Sequence, residues 1–295
     1  MKVGFIGLGI MGKPMSKNLI KAGYELVVND HNQAAVDELV ELGAEAAANG
    51  ADVATKADVI ITMLPNSPHV RSVCLGEGGI AETGTSKTVV IDMSSIDPVE
   101  SKKIAADLAE KGIDMLDCPV SGGEPKAIDG TLSVMCGGNK ETWDKYYDML
   151  MCMAGSVVYV GPIGSGNVAK LANQMIVATN IGAVAEALTF AKKAGTDPEL
   201  VYQAIRGGLA GSTVMDAKAP MMLEGNYKPG FRIDLHIKDM TNVLNAAHAI
   251  NMPVPLAAHM MEVMQELKNH DEGGCDHDDI VRYYERMTGV SIVKE

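Results

Sequence analysis

The chain is poor in aromatic side chains. Phe, Tyr and Trp make up 4% of its 295 residues, with a single Trp. It also lacks any dense run of Lys or Arg. With 25 basic against 38 acidic residues the formal net charge is −13, which argues against a nucleic-acid partner, since such proteins carry a basic patch. The first residues, Met1-Lys2-Val3-Gly4-Phe5, run straight into an apolar strand, without the basic region, apolar stretch and cleavage site of a signal peptide. No uninterrupted apolar run reaches the ~18 residues needed to cross a membrane, so no membrane partner is expected. The five cysteines, at 74, 118, 136, 152 and 275, are odd in number and fit no zinc or C-x-x-C spacing, which points to a reduced, cytoplasmic chain.

What is present suits a two-domain globular protein. The chain is 47% apolar, and its length is too great for one ordinary domain. The 20 methionines read as adaptable core filler or, alternatively, as a special binding surface. β-rich runs at Val3–Ile6, Glu25–Asn29, Asp58–Met63, Thr88–Asp92, Asp114–Asp117, Leu132–Cys136 and Ser156–Val160 alternate with helix-length segments rich in Ala, Glu, Lys and Leu. That alternation predicts an α/β, Rossmann-type domain over residues 1–160, a mostly parallel sheet with helices on both faces. The pattern changes at Gly161. Residues 167–194 contain no Pro and one Gly, predicting a helix of roughly seven or eight turns. It opens an all-α domain over residues 161–295, in which Asp197-Pro198-Glu199 reads as a helix start with Asp as cap and Pro in the first turn.

Gly7-Leu8-Gly9-Ile10-Met11-Gly12 fits G-x-G-x-x-G between a strand and a helical stretch. In a dinucleotide site Gly7 makes the tight turn, Gly9 lets the backbone approach a pyrophosphate, and Gly12 lets helix and strand pack closely. The helix N-terminus offers the phosphates N–H groups and partial positive charge. Asn29-Asp30-His31 ends the next strand, with Asp30 near the offset expected for a ribose-binding acid. The alternative is a glycine-rich turn without a ligand. Met63-Leu64-Pro65 and Asp92-Met93-Ser94-Ser95 leave two later strand ends, where ligands of open α/β sheets bind. Ordinary loop chemistry would explain them too.

Lys170, Asn173 and Gln174 stand at i, i+3 and i+4, on one helix face. A helix N-terminus disfavours the ammonium form, and burial would add to that, bringing Lys170 toward useful proton transfer. A solvated lysine on an alanine-rich helix is the plain alternative. Ser121-Gly122-Gly123 follows a strand and could form an anion nest for a carboxylate, or be a common loop. His270, Asp271, Cys275, His277 and Asp278 could suggest a metal, but their polar setting reads as a loop capping the next helix.

Four separated motifs carry a resemblance over essentially the whole chain: Gly7–Met15, Asp117–Gly123 with Gly130-Thr131-Leu132, Gly161–Gln174, and Lys238-Asp239. On these the chain resembles the β-hydroxyacid dehydrogenases. Pro65–Val70, Gly122–Gly130 and Arg206–Thr213 look most like the branch that reduces tartronate semialdehyde (2-hydroxy-3-oxopropanoate) to glycerate. The resemblance implies hydride transfer from NAD(P)H, with Lys170 as general acid/base and no metal. Ser121, Gly122 and Gly123 would hold the substrate carboxylate, Asn173 and Gln174 would lie at the substrate, and Lys238 would close the cofactor side. A homo-oligomer, dimer or tetramer, is expected. Asp30 followed by His31, where NADPH-preferring relatives typically place Arg, implies a preference for NADH. Many relatives carry Asn at the place of Gln174, which puts the pocket's shape at issue. Other short 3- or 4-hydroxy acids, such as 3-hydroxyisobutyrate and 4-hydroxybutyrate, are the competing substrates. A non-catalytic nucleotide-binding relative is the competing class, against which the retained Lys170 speaks.

Overall fold

A computed structural model describes residues 1–294. The chain divides into two compact units between Lys170 and Leu171. That division falls inside a long helix, whereas the change of sequence pattern falls at Gly161.

The first unit is built on β1 (Lys2–Ile6), β2 (Glu25–Asn29), β3 (Glu45–Ala46), β4 (Val59–Thr62), β5 (Val89–Asp92), β6 (Asp114–Asp117), β7 (Val120–Ser121), β8 (Leu132–Gly137) and β9 (Ala154–Gly161). The strands run in the order β3-β2-β1-β4-β5-β6-β8, with β9 beyond β8. All neighbours from β3 to β6 are parallel. β8 runs antiparallel to β6 and β7, which are separated only by Cys118-Pro119 and act as one broken strand. The short strands β3 and β7, two residues each, are too brief to show an apolar alternation and escape a sequence reading.

Side chains of the parallel strands are buried on both faces, as a doubly covered sheet requires. Phe5, Val28, Ile61 and Ile91 pack on one side with Met15 and Leu19 of α1 (Gly12–Lys21) and Leu39 of α2 (Gln33–Glu41). Ile60 and Val90 pack on the other with Val53 of α3 (Gly50–Lys56), Val70 of α4 (Ser67–Leu75) and Ile104 of α5 (Pro98–Ala109). Two further helices, α6 (Gly123–Asp129) and α7 (Lys140–Met151), flank β8 in sequence.

The long helix α8 (Ser165–Lys193) has 29 residues. Its length and composition require a correction to the expectation above: an 18-residue window reaches a mean hydropathy of 1.3, enough on those grounds to cross a membrane. Half of that window is buried inside the protein. The interruptions by Thr, Asn and Glu hid it from a search for unbroken apolar runs.

The second unit continues with α9 (Pro198–Ile205), α10 (Thr213–Glu224), α11 (Ile233–Ala249), α12 (Pro255–Asn269) and α13 (Ile280–Thr288). Asp197 caps α9 by accepting from Glu199 N at 2.9 Å, as Asp-Pro at a helix start predicts. Ala178, Ile181 and Leu188 of α8 pack with Met215, Met222, Met240, Met260, Met261 and Met264, so these six methionines are core filler.

Candidate active site

The strand order reverses beside β1: the chain moves outward to β2 and β3, then returns to place β4 on the other flank. The crevice at such a switch point, at the carboxyl ends of the strands, is where open α/β sheets take ligands. Gly7–Gly12 leaves β1 at this point, and Met63-Leu64-Pro65 leaves β4. The two loops are stitched together by Met63 N donating to Ile6 O at 2.9 Å. Gly7 takes φ +98°, and a Cβ there would fall 2.3 Å from Met63 O.

The two other glycines differ instructively. A Cβ on Gly12 would fall 1.9 Å from Gly7 O, so the start of α1 can approach the loop only without a side chain. A Cβ on Gly9 would meet nothing within 4 Å. Gly9 is not demanded by the protein's own packing; it keeps open the place where a pyrophosphate would approach. The first turn of α1 carries no acidic residue, so its N–H groups and positive end remain suited to phosphate. These features fit a dinucleotide.

Asp30 sits half-buried at the end of β2. Its Oδ2 accepts from Leu8 N at 2.5 Å and its Oδ1 from Asn32 N at 2.7 Å. The carboxylate thus braces the glycine loop, while His31 beside it is exposed and Asn29 Nδ2 donates to Ala47 O. A cavity of about 560 Å³ runs alongside, lined by Gly9, Ile10, Lys13, Lys17 and Asn32 among others. Lys13 and Lys17 supply local positive charge in an acidic protein, but both pair with Glu38.

Beyond β4 and β5, Leu64 N donates to Ser94 Oγ at 2.8 Å, leaving Ser95 next in the same loop. Thr62, Asp92 and Asp117 lie side by side in register across β4, β5 and β6, and all three are fully buried. Thr62 Oγ1 and Ser94 N both donate to Asp92 Oδ1, while Asp92 Oδ2 has no hydrogen-bond partner. Burial pushes the Asp92 carboxyl up to about 7. Asp117 reaches the start of α8: Gly164 N donates to its Oδ1 and Asn167 N to its Oδ2, both at 2.7 Å. Burial still raises it, to about 6. Asn167 is tied further, accepting from Ile96 N at 3.0 Å and donating to Ser101 Oγ at 3.0 Å. One turn on stands Lys170, only 6% exposed, which excludes the plain reading of a solvated lysine. Ser121 ends β7, and Gly122 and Gly123 take φ of +142° and +69°.

In the second unit, Gln174 is buried. Its Nε2 donates to Asp239 Oδ2 at 2.7 Å and its Oε1 accepts from Asn173 Nδ2 at 2.8 Å. Lys238 pairs with the other oxygen of Asp239 at 2.7 Å. The structure thus brings Gln174 and Lys238 onto one buried carboxylate, with Asn173 attached through Gln174; Asp239 stood in a sequence motif but was given no role there. Asp117 and Asn167 were likewise not singled out as site residues; the available signal was an acid at the carboxyl end of a strand of the parallel sheet. Of the C-terminal cluster, His277 faces His236 at 3.2 Å, and Asp276 accepts from Asp278 N at 3.1 Å, capping the turn before α13. Among the described residues no group of three or more His, Cys, Asp or Glu is placed to hold a metal ion.

Residues 2–161 match a family described as the NAD binding domain of 6-phosphogluconate dehydrogenase, and residues 164–284 one described as the NAD-binding domain of NADP-dependent 3-hydroxyisobutyrate dehydrogenase. The chain is 41% identical over 287 residues to 2-hydroxy-3-oxopropionate reductase of Escherichia coli K12, covering 97% of this chain and 98% of that one. It is 35% identical over 288 residues to the mitochondrial 3-hydroxyisobutyrate dehydrogenase of Rattus norvegicus, covering 95% and 86%. Among solved structures, the 3-hydroxyisobutyrate dehydrogenase of Mycobacterium tuberculosis with L-serine superposes with a TM-score of 0.88 at 29% identity, covering 95% of this chain and 98% of that one. With both halves matched and relatives aligned over nearly its whole length, the chain belongs to the 3-hydroxyisobutyrate dehydrogenase-like β-hydroxyacid dehydrogenases, a family of NAD(P)-dependent oxidoreductases.

Proposed function

We propose that this protein reduces tartronate semialdehyde to glycerate, reversibly, with Lys170 as the proton donor and acceptor. The observation that carries the reading is a lysine 94% withdrawn from solvent, at 6% exposure, one turn beyond a helix start held by a buried network. An amine so placed has no role as a solubilising charge. The choice of substrate within the family is supported by the 41% identity to the E. coli reductase.

Gly7, Leu8, Gly9, Ile10, Met11 and Gly12 would hold the pyrophosphate, with Asn29, Asp30 and His31 toward the adenosine ribose. Met63, Leu64, Pro65, Ser95 and Lys238 would complete the cofactor contacts. When bound, the nicotinamide supplies the hydride that reduces the aldehyde carbon. Lys170 gives its proton to the carbonyl oxygen as charge develops there, a contribution of about 10²–10⁴-fold for a well-placed general acid. Ser121, Gly122 and Gly123 receive the substrate carboxylate on backbone N–H groups, which fixes the carbonyl in one orientation. Asn173 and Gln174 present amides at the substrate. NADH is preferred, because Asp30 would place a like charge against a 2′-phosphate. The same reading takes the enzyme to work in the cytoplasm as a dimer or tetramer.

The test is a panel of short aldehydes assayed with NADH and NADPH: tartronate, methylmalonate and succinate semialdehydes, and neutral glyceraldehyde. The expected result is the highest kcat/KM for tartronate semialdehyde with NADH. A higher value for another semialdehyde would reassign the substrate within the family. Equal efficiency with glyceraldehyde would remove the carboxylate role of Ser121–Gly123.

A further inference from the structure

We propose that Asp117 is a positioning residue for Lys170: its buried carboxylate receives the backbone N–H groups that open α8, and its charge holds the proton on the lysine one turn further along. The inference deepens the assignment of Lys170 made above and rests on it for its catalytic consequence.

The start of α8 is pressed unusually close to the sheet. A Cβ on Gly137 would fall 2.4 Å from Asp117 Oδ1, and one on Gly166 would fall 2.2 Å from Asp117 O. Both positions are free of side chains: the carboxylate takes the space at Gly137, main-chain carbonyls take most of that at Gly166, and the carboxylate makes its two 2.7 Å bonds to Gly164 N and Asn167 N. A helix N-terminus carries roughly half a positive charge. Alone it would expel a proton from a lysine in the neighbouring turn, and burial would act in the same sense. An anion bonded to that terminus reverses the local field.

Anchoring alone does not call for a charge. Asn167 already fastens the turn through neutral bonds to Ile96 N and Ser101 Oγ. A carboxylate with no solvent exposure is costly to keep ionised, which is why burial pushes Asp117 up to about 6. Retaining one there is explained by what its charge does. Asp92 on β5 and the neighbouring Cys118 face it, and Cys118 in turn faces Cys136 on β8. Lys102 on α5 lies along Gly164. Burial holds Cys118 as a neutral thiol, and Asp92 is pushed up to about 7. Asp117 accepts two backbone N–H bonds that favour its ionised form, whereas Asp92 leaves one oxygen without a partner.

The experiment follows the Lys170 ammonium directly, by NMR of full-length protein labelled with ¹³C at lysine Cε, the signal being assigned by Lys170→Arg. Three proteins are titrated: the wild type, Asp117→Asn, and Ser101→Ala, which removes one neutral anchor without changing charge. The Lys170 midpoint is expected to fall by about one unit in Asp117→Asn, the low end of the effect of a nearby opposite charge, and to stay in place in Ser101→Ala. An unchanged midpoint in Asp117→Asn, or an equal fall in Ser101→Ala, overturns the proposal. Should Asp117→Asn fail to fold, the wild type still decides. Its Lys170 signal is expected to carry a second, smaller inflection as Asp117 titrates, one that persists in Asp92→Asn; without that inflection the proposal falls. The alkaline limb of kcat for reduction is expected to move with the midpoint. A midpoint that moves while the limb does not leaves the coupling standing and removes Lys170 as the proton donor.

Discussion

Gln174 and Asp239 form a buried pair, 4% and 1% exposed, joined by one 2.7 Å hydrogen bond between positions 65 apart in sequence. The other end of the same amide is taken by Asn173, and the other oxygen of Asp239 by Lys238. The amide orientation of Gln174 is therefore fixed by the protein. Gln174→Asn shortens the stem by one methylene and withdraws the amide from Asp239. We expect kcat/KM for the best substrate to fall about tenfold, mostly in KM, about what the loss of one charge-assisted hydrogen bond gives. Steady-state kinetics on the aldehyde panel checks this; unchanged constants and selectivity would show that the pocket does not depend on this pair.

Lys170→Ala is expected to lower turnover by about 10²–10⁴-fold, with dinucleotide affinity nearly unchanged. Turnover and cofactor titration by fluorescence measure the two separately. More than a tenth of wild-type turnover on the best substrate would sink the assignment.

Gly9 and Gly12 are expected to fail differently. The open space at Gly9 and the 1.9 Å approach of a Gly12 Cβ to Gly7 O make Gly9→Ala a binding variant and Gly12→Ala a folding variant. Gly9→Ala should melt within about 1 °C of the wild type yet lose at least tenfold in dinucleotide affinity. Gly12→Ala should lose about 1–3 kcal/mol of stability, the usual cost of overpacking. Calorimetry with and without NADH separates them, and equal effects of both variants on melting would refute the distinction.

Asp92 gives stability a pH dependence of known sign. Its folded pKa, about 7, lies above the ~3.9 of an unfolded chain, so the folded state holds the proton more tightly. The stability it contributes is fully present below about pH 4 and is lost as pH rises through about 7. Asp92→Asn keeps an acceptor for Thr62 and Ser94 but removes the buried charge. At pH 8 the variant should be more stable than the wild type by about 1–2 kcal/mol, with the gain shrinking toward pH 5. Denaturant melts at both pH values test it; a gain that grows on acidification would contradict the assignment.

His31→Arg is expected to raise the NADPH/NADH ratio of kcat/KM at neutral pH, since a fixed cation can offset a 2′-phosphate that Asp30 repels. A ratio insensitive to this substitution would place cofactor selection elsewhere.

What could be read without coordinates was local. Runs rich in Val and Ile announce β1, β2, β4 and β5, and the spacing of Gly7, Gly9 and Gly12 implies a turn whose bonds close within a few residues. The Asp-Pro start of α9 is of the same kind. What escaped reading depends on distance along the chain. Asp117 finds its partners 47 and 50 positions later and Asn167 its anchor 66 positions earlier, and no spacing rule links such pairs. The two-residue strands β3 and β7 fail for the opposite reason, being shorter than any period. In α8, isolated polar residues broke the apolar run without breaking the helix, so a count of consecutive residues understated its hydropathy.

The six methionines buried in the second unit give that unit a chemical clock. A thioether in a closed core is screened from peroxide, while one exposed by a transient opening is converted to the polar sulfoxide. Oxidation at Met240 or Met264 therefore proceeds only as often as the helices around it part, and each event leaves behind a group that a packed apolar interior accommodates poorly. The adaptability that lets methionine fill irregular gaps makes damage here cumulative: every opening that admits an oxidant makes the next one easier.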